Sequence, residues 1–191
     1  MTPKILAFAG STRTESFNKK LIKLAAAGAR TADAEVTLID LRDYPMPLYD
    51  GDLEDRDGLP ENARKLKALF LANDGLLLSC PEYNSSITGV LKNTIDWVSR
   101  SEGDEADLAC YTGKIAALMS ASPGFLGGLR SLVHVRSILG NIKVLVLPDQ
   151  VSVSKAHEAF APDGSLKDAK KQAAVEKLGA TLAGTIAKLK A

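Results

Sequence analysis

Three short clusters in this sequence have the residue types to hold a ligand without a metal or a nucleophile. The first is Gly10-Ser11-Thr12-Arg13-Thr14-Glu15-Ser16-Phe17-Asn18, which runs directly into a helical periodicity. Hydroxyls, one guanidinium and the free N–H groups of a helix start form a phosphate-binding combination. The same residues also suit a polar turn in which Ser16 or Asn18 caps the helix, and the two roles can coexist. Neither a G-x-G-x-x-G turn nor a G-x-x-x-x-G-K-[ST] loop is present, so the pattern favours a single phosphate over a pyrophosphate or a Walker-type site.

The second cluster is Cys80-Pro81-Glu82-Tyr83-Asn84-Ser85-Ser86-Ile87. Its amide, aromatic and backbone groups suit a flat heteroaromatic ring, although a turn with Ser86 as cap and Tyr83 packed locally reads the same residues structurally. The third, Ser120-Ala121-Ser122-Pro123-Gly124-Phe125-Leu126-Gly127-Gly128, is rich in small residues that let backbone approach a ligand closely. A flexible turn is its plain alternative.

Other chemistries are poorly served. The acidic segment from Asp50 through Asp57 to Glu61 superficially resembles a calcium loop, but Asp55 stands where the sharp-turn glycine belongs. Pro45 and Pro47 oppose a helix before it, so a solvated loop is expected and no metal is assigned. His134 and His157 are far apart, without partners at ligand or triad spacing. Cys80 adjoins the second cluster but reads as a small packing residue, and no side chain is assigned a catalytic role.

The elements that must position these clusters follow from periodicity. Ile5 to Ala9, Leu76 to Leu78, Ile115 to Met119 and Ile142 to Leu147 are continuous apolar runs, as expected of parallel strands buried on both faces. A further strand is expected at Val36 to Ile39. Leu21, Leu24, Ala25 and Gly28 recur at helical spacing, as do Ala63, Leu66 and Phe70, and Ile87, Leu91, Ile95 and Val98. Helices are also expected from about Gly128 to Leu139 and through Val175, Leu178, Leu182, Ile186 and Leu189, with a turn at Asp163-Gly164 between them. The alternation predicts an α/β fold, a five-stranded doubly wound parallel sheet with helices on both faces. Ligands of such sheets sit beyond the carboxyl ends of the strands near the switch in strand order, where all three clusters fall.

Composition narrows the classes. With 191 residues, 46% hydrophobic and 25% charged, the chain suits one folded domain spanning residues 1–191. Its 24 basic and 23 acidic residues give a net charge of +1, without the excess that drives nucleic-acid binding. No apolar run approaches the roughly 20 residues of a membrane span, and two cysteines are too few for a disulfide framework. A cytoplasmic location is the expectation.

In three ordered motifs the sequence resembles the NADPH-dependent FMN reductase family of flavodoxin-like proteins, which includes flavin, quinone, azo-dye and chromate reductases. They are GSTRTESFN at 10–18, PEYNSSITGVLKNTIDWVSR at 81–100 and SASPGFLGGLR at 120–130, with PMPLYDGDLE at 45–54 in the same style. The resemblance implies a flavodoxin-like fold with FMN as cofactor and NADPH or NADH as donor. It also implies that Ser11, Arg13, Ser16 and Asn18, with backbone at Thr12 and Phe17, hold the FMN phosphate. Glu82, Tyr83, Asn84 and Ser85 would line the isoalloxazine, and Ser122 would approach it from the third cluster. Ser85 and Thr88 depart from the family pattern, which often has Gly or an aromatic at the first position and Pro at the second.

The implied activity is an FMN-dependent NAD(P)H oxidoreductase, passing hydride to flavin and electrons onward to a small acceptor such as a quinone, flavin, azo compound or chromate in ping-pong order. The rival readings are a flavodoxin-like electron carrier, disfavoured by the near-neutral charge, and an FMN-binding regulatory module. A homodimer or homotetramer is implied as well, and the wide apolar stripe Leu129, Leu132, Val133, Val135, Ile138 and Leu139, with Trp97 and Val98, suits either core or a subunit interface.

Overall fold

A computed structural model describes residues 1–190. Five parallel strands, β1 (Lys4–Ala9), β2 (Glu35–Leu38), β3 (Gly75–Ser79), β4 (Ile115–Ala121) and β5 (Leu145–Val153), form one sheet in the order β2-β1-β3-β4-β5. The doubly wound α/β architecture expected from the apolar runs is therefore present, with its switch in strand order between β1 and β3. The helices are α1 (Phe17–Arg30), α2 (Gly51–Asp57), α3 (Glu61–Ala72), α4 (Gly89–Val98), α5 (Leu129–Asn141), α6 (Ala156–Ala159) and α7 (Ala169–Leu189).

Strand pleating sorts the core into two layers. Ile5, Ala7 and Ala9 of β1 pack with Leu77, Ala117 and Met119 under α1 and α7, whereas Leu6 and Phe8 join Leu76, Leu78 and Leu118 under α3, α4 and α5. The α1 and α7 backbones nearly touch. A Cβ on Gly28 would lie 2.0 Å from the Glu176 carbonyl oxygen, and one on Gly179 would lie 1.9 Å from that of Ala25. This contact fixes the axis of α1, and with it the loop that α1 carries at its start.

Three boundaries differ from the sequence reading. The acidic 50–57 segment is not a plain solvated loop: Asp50 caps α2 by accepting from the Asp52 N–H at 2.9 Å, and Gly58, at φ 71°, ends it. Because α2 buries no residue, it leaves no apolar periodicity to read. The last strand starts later and runs to Val153, because Lys143 turns at φ 71° before it. This edge strand admits Pro148 and a register shift opposite Ala116–Leu118. Finally, α4 begins after Thr88, which caps it, so Ile87 lies in the preceding loop.

Candidate ligand cleft at the carboxyl end of the sheet

The loops after β1, β3 and β4 meet above the switch point and are joined by neutral buried side chains. Asn18, in the first turn of α1, is 3% exposed and reaches β3 and β4. Its Nδ2 donates to the Ala121 carbonyl at 2.7 Å, while its Oδ1 accepts from the Ala121 N–H at 3.0 Å and from Ser79 Oγ at 2.8 Å. Thr88 Oγ1 donates to the Gly10 carbonyl at 2.7 Å and accepts from the Leu91 N–H at 3.2 Å, tying the first loop to α4. Ser120 and Ser131 hydroxyls both donate to the Cys80 carbonyl, at 2.7 and 2.8 Å. No buried side-chain nitrogen or oxygen is left without a partner among the described residues.

The first loop presents donors outward. Helix α1 starts with Ser16 in extended conformation, with no side-chain cap and no acidic residue in the first turn. Its positive end therefore faces the cleft uncompensated. Ser11 and Ser16 are buried beside it, and the exposed Arg13 guanidinium makes no hydrogen bond or ion pair among the described residues. The turn is braced from outside by Arg42, whose Nε donates to the Thr12 carbonyl at 2.9 Å, with Nη2 on the same oxygen.

The second loop is a tight turn. Tyr83 and Ser86 exchange backbone hydrogen bonds at 3.0 Å each way, and Asn84 and Ser85 between them both take positive φ, 49° and 66°. Two consecutive left-handed residues give a type I′ turn, which projects backbone outward and strains Ser85, a position better suited to glycine. The loop is fastened to α5 at two points. Glu82, almost fully buried, accepts from Arg130 Nε at 2.7 Å and from the Arg130 N–H at 3.1 Å, and Ser86 Oγ lies 2.8 Å from His134 Nδ1. In the third loop Gly128 sits at φ 88°, and a Cβ there would fall 1.9 Å from Ser120 Oγ.

Of the residues singled out from the sequence, Ser11, Arg13, Ser16, Phe17, Asn18, Glu82, Tyr83 and Ser122 line one cleft together with Pro81, Ala121 and Pro123. Thr12, Asn84 and Ser85 are exposed and do not line it. The Asn18 amide and the Glu82 carboxylate are consumed by protein partners, which leaves their backbone groups for a ligand. Ser122 Oγ accepts from the Gly124 N–H at 3.2 Å, and Phe17 stacks on Phe160 at 5.9 Å. Burial pushes the Cys80 thiol up to about 12, so it stays protonated and inert at neutral pH. Arg42 was invisible from the sequence, because it acts on an oxygen thirty positions away. Arg130 stands in the third motif and His134 has no partner at ligand or triad spacing in the sequence, so their contacts with Glu82 and Ser86 were not evident from it.

The cleft itself is narrow, about 70 Å³, while a larger hollow of about 530 Å³ lies on the β2 side of the first loop. The cleft is the better ligand site for a phosphate and a flat ring, because uncompensated N–H donors, buried hydroxyls and the outward turn converge there. Among the described residues there is no group of three or more His, Cys, Asp or Glu suited to a metal, and no helix long and apolar enough to cross a membrane.

Comparison with known proteins identifies the family of the chain. Residues 3–158 match the model of the NADPH-dependent FMN reductase family. The chain is 35% identical over 168 residues to an NAD(P)H-dependent FMN reductase of Pseudomonas aeruginosa, covering 87% of this chain and 86% of that one. It is 34% identical over 148 residues to a quinone reductase of Escherichia coli K12, covering 75% and 73%. Among solved structures, a flavoenzyme NAD(P)H:(acceptor) oxidoreductase of Paracoccus denitrificans superposes with a TM-score of 0.78 at 28% identity, covering 98% of each chain.

Proposed function

The chain belongs to the NADPH-dependent FMN reductase family, and on that premise we propose how its residues serve an FMN-dependent NAD(P)H oxidoreductase. The chemistry supplied by FMN when bound is acceptance of a hydride from reduced nicotinamide and delivery of electrons to a small acceptor such as a quinone. The observation that carries the assignment of the cleft is the uncapped start of α1, flanked by buried hydroxyls and an unpaired guanidinium.

These groups fit a phosphate dianion. The backbone N–H groups at Thr12, Phe17 and Asn18, the Ser11 and Ser16 hydroxyls and Arg13 hold it by charge-assisted bonds at a helix dipole. The turn at Glu82, Tyr83, Asn84 and Ser85 presents backbone and the Asn84 amide to the ring edge, and Ser122 faces it from the opposite loop. The protein's contribution is orientation and exclusion of water from one ring face, so no side chain needs to act as acid, base or nucleophile.

The same reading treats residues 1–191 as one domain, supported by the close packing of α7, beyond the family match, on α1. It also takes the chain as a homodimer or homotetramer. Phe125 is 85% exposed and Val133 60%, and Leu129 and Tyr83 are exposed as well, while Leu132, Val135, Leu139 and Trp97 are core. Two buried free thiols accord with a reducing cytoplasm.

Anaerobic titration of the FMN-loaded protein with NADPH, followed by flavin absorbance, tests the function. Bleaching, and recovery of colour when a quinone is added, is the expected result. FMN that stays oxidised with both NADPH and NADH would return the carrier or regulatory reading, and failure to bind FMN would remove the cleft assignment.

A further inference from the structure

A larger hollow than the cleft lies beside it across the first loop, and Ser16 lines both. At about 530 Å³ it falls within the roughly 300–1,000 Å³ of small-molecule sites. Its walls are the outer face of α1 and the segment that follows β2, and they divide by chemistry. Ile22, Leu38, Ile39 and Tyr44 give an apolar side with one aromatic ring. Lys20 and Lys23 stand at the α1 rim. Lys20 has only a loose pair with Glu15 at 3.8 Å, and Lys23 has no carboxylate partner among the described residues.

Acidic groups complete the hollow. Asp40, just beyond β2, is held by Lys19 at 2.5 Å and by the Arg42 N–H at 3.0 Å, and Asp43 beside it carries a carboxylate with no ion pair among the described residues. An acidic residue at the end of the second strand of a βαβ unit is where dinucleotide-binding sheets meet ribose hydroxyls. An apolar wall with one aromatic ring, one loosely paired and one unpaired lysine, and carboxylate acceptors together match a base, a phosphate and a ribose.

We propose that this hollow receives the adenosine-phosphate end of a dinucleotide whose redox-active end lies in the adjoining cleft, an inference that rests on the reading of that cleft given above. Lys20 and Lys23 take the phosphate, Asp40 and Asp43 the ribose hydroxyls, and Tyr44 with Ile39 the base. The exposed Thr12–Glu15 turn is the short bridge between the two ends. Two dinucleotides carry this end, the reduced nicotinamide donor and a flavin adenine dinucleotide bound in place of FMN.

The test is calorimetric titration of the FMN-loaded protein with ADP, repeated on the double variant Lys20→Gln, Lys23→Gln, which leaves the core untouched. Saturable ADP binding, weakened about tenfold in the variant with FMN affinity unchanged, is expected from the loss of charge-assisted contacts. Competition between ADP and NADPH in turnover identifies the donor as the source. Absence of competition, with FAD binding the apoprotein more tightly than FMN by a margin that the variant abolishes, identifies the flavin dinucleotide. No ADP binding, or binding indifferent to both lysines, overturns the inference even where FMN binds and NADPH bleaches it. Failure to bind FMN overturns the functional reading instead, and ADP titration of the apoprotein still reports on the hollow.

Discussion

At the carboxyl end of the sheet the fully buried polar side chains Ser11, Ser16, Asn18, Ser79, Thr88 and Ser120 are neutral, with the paired Glu82 carboxylate beside them, whereas at the amino end buried Asn73 is joined by the charged Lys114. There Lys114, buried, donates to the Asn73 carbonyl at 2.5 Å, and Asp74 accepts from the Lys4 N–H at 3.0 Å and from Lys190. Burial pushes the Lys114 ammonium below its ordinary value. The two ends close the same sheet with different polar chemistry. Neutral hydrogen bonds fix loop geometry without adding a fixed charge that would compete with an incoming phosphate, and they are indifferent to salt and to pH near neutrality. The amino end, which positions no ligand in this reading, relies on ion pairs that respond to both.

The sharpest way to break this contrast is Asn18→Ala. The amide makes three buried hydrogen bonds, and its loss leaves Ser79 Oγ and both backbone groups of Ala121 short of partners. At about 1 kcal/mol for each bond and its orphaned partner, the expected destabilisation is about 3 kcal/mol, read as a fall in urea midpoint at constant slope. A loss below about 1 kcal/mol would show that the loops are held mainly by packing.

Arg13→Ala separates the ligand from the scaffold. The guanidinium has no protein partner, so urea stability should not move, while FMN affinity should fall roughly ten- to hundredfold, equivalent to about 1.5–3 kcal/mol. Equal FMN affinity in the two proteins would take Arg13 out of the phosphate site. An unexpected loss of stability would instead mean that the loop is less independent than its hydrogen bonds indicate.

Arg130→Ala probes the charged pair that fastens the second loop to α5. Glu82 is almost fully enclosed, but Arg130 is more than half exposed, and the Arg130 N–H remains to the carboxylate. The cost should be about 1 kcal/mol, well short of a fully buried pair. The clearer readout is a changed visible spectrum of bound FMN, because Glu82 keeps only the backbone N–H and one of the two ties of the Tyr83–Ser86 turn to α5 is weakened. An unaltered spectrum would leave the His134–Ser86 contact sufficient to hold the turn.

Which of these features were legible in the sequence follows from their range. The strands buried on both faces appeared as unbroken apolar runs, and the ligand loops followed because the switch point selects the ends of β1, β3 and β4. Helix α2 was missed because a helix that buries nothing has no periodic face. The role of Asn18 was read as phosphate contact from its place in the motif, whereas its amide is spent on Ser79 and Ala121, partners 61 and 103 positions away. Arg42 on Thr12 and Arg130 on Glu82 are of the same kind. A motif identifies which residues gather, but the fold decides which of their atoms remain free.

The smallest expected effect sharpens the other side of the contrast. Burial works to raise the Asp74 carboxyl, but hydrogen bonds from Lys190 and the Lys4 N–H, with the charges of Lys190 and Lys114, hold it below its usual range. A carboxylate whose folded value is depressed gives stability that is fully present above its unfolded pKa, about 3.9, and lost as pH falls through the folded value. Asp74→Asn should therefore cost at most about 1 kcal/mol at pH 7, given the partial exposure of the pair, and the gap should close as the pH drops below about 4. Molar salt should shrink it at neutral pH, whereas the gap produced by Asn18→Ala should stay level with salt and between about pH 5 and 8. If the Asp74→Asn gap persisted unchanged into acid, its contribution would be one of neutral hydrogen bonding, and the two ends of the sheet would differ in residue type but not in physics.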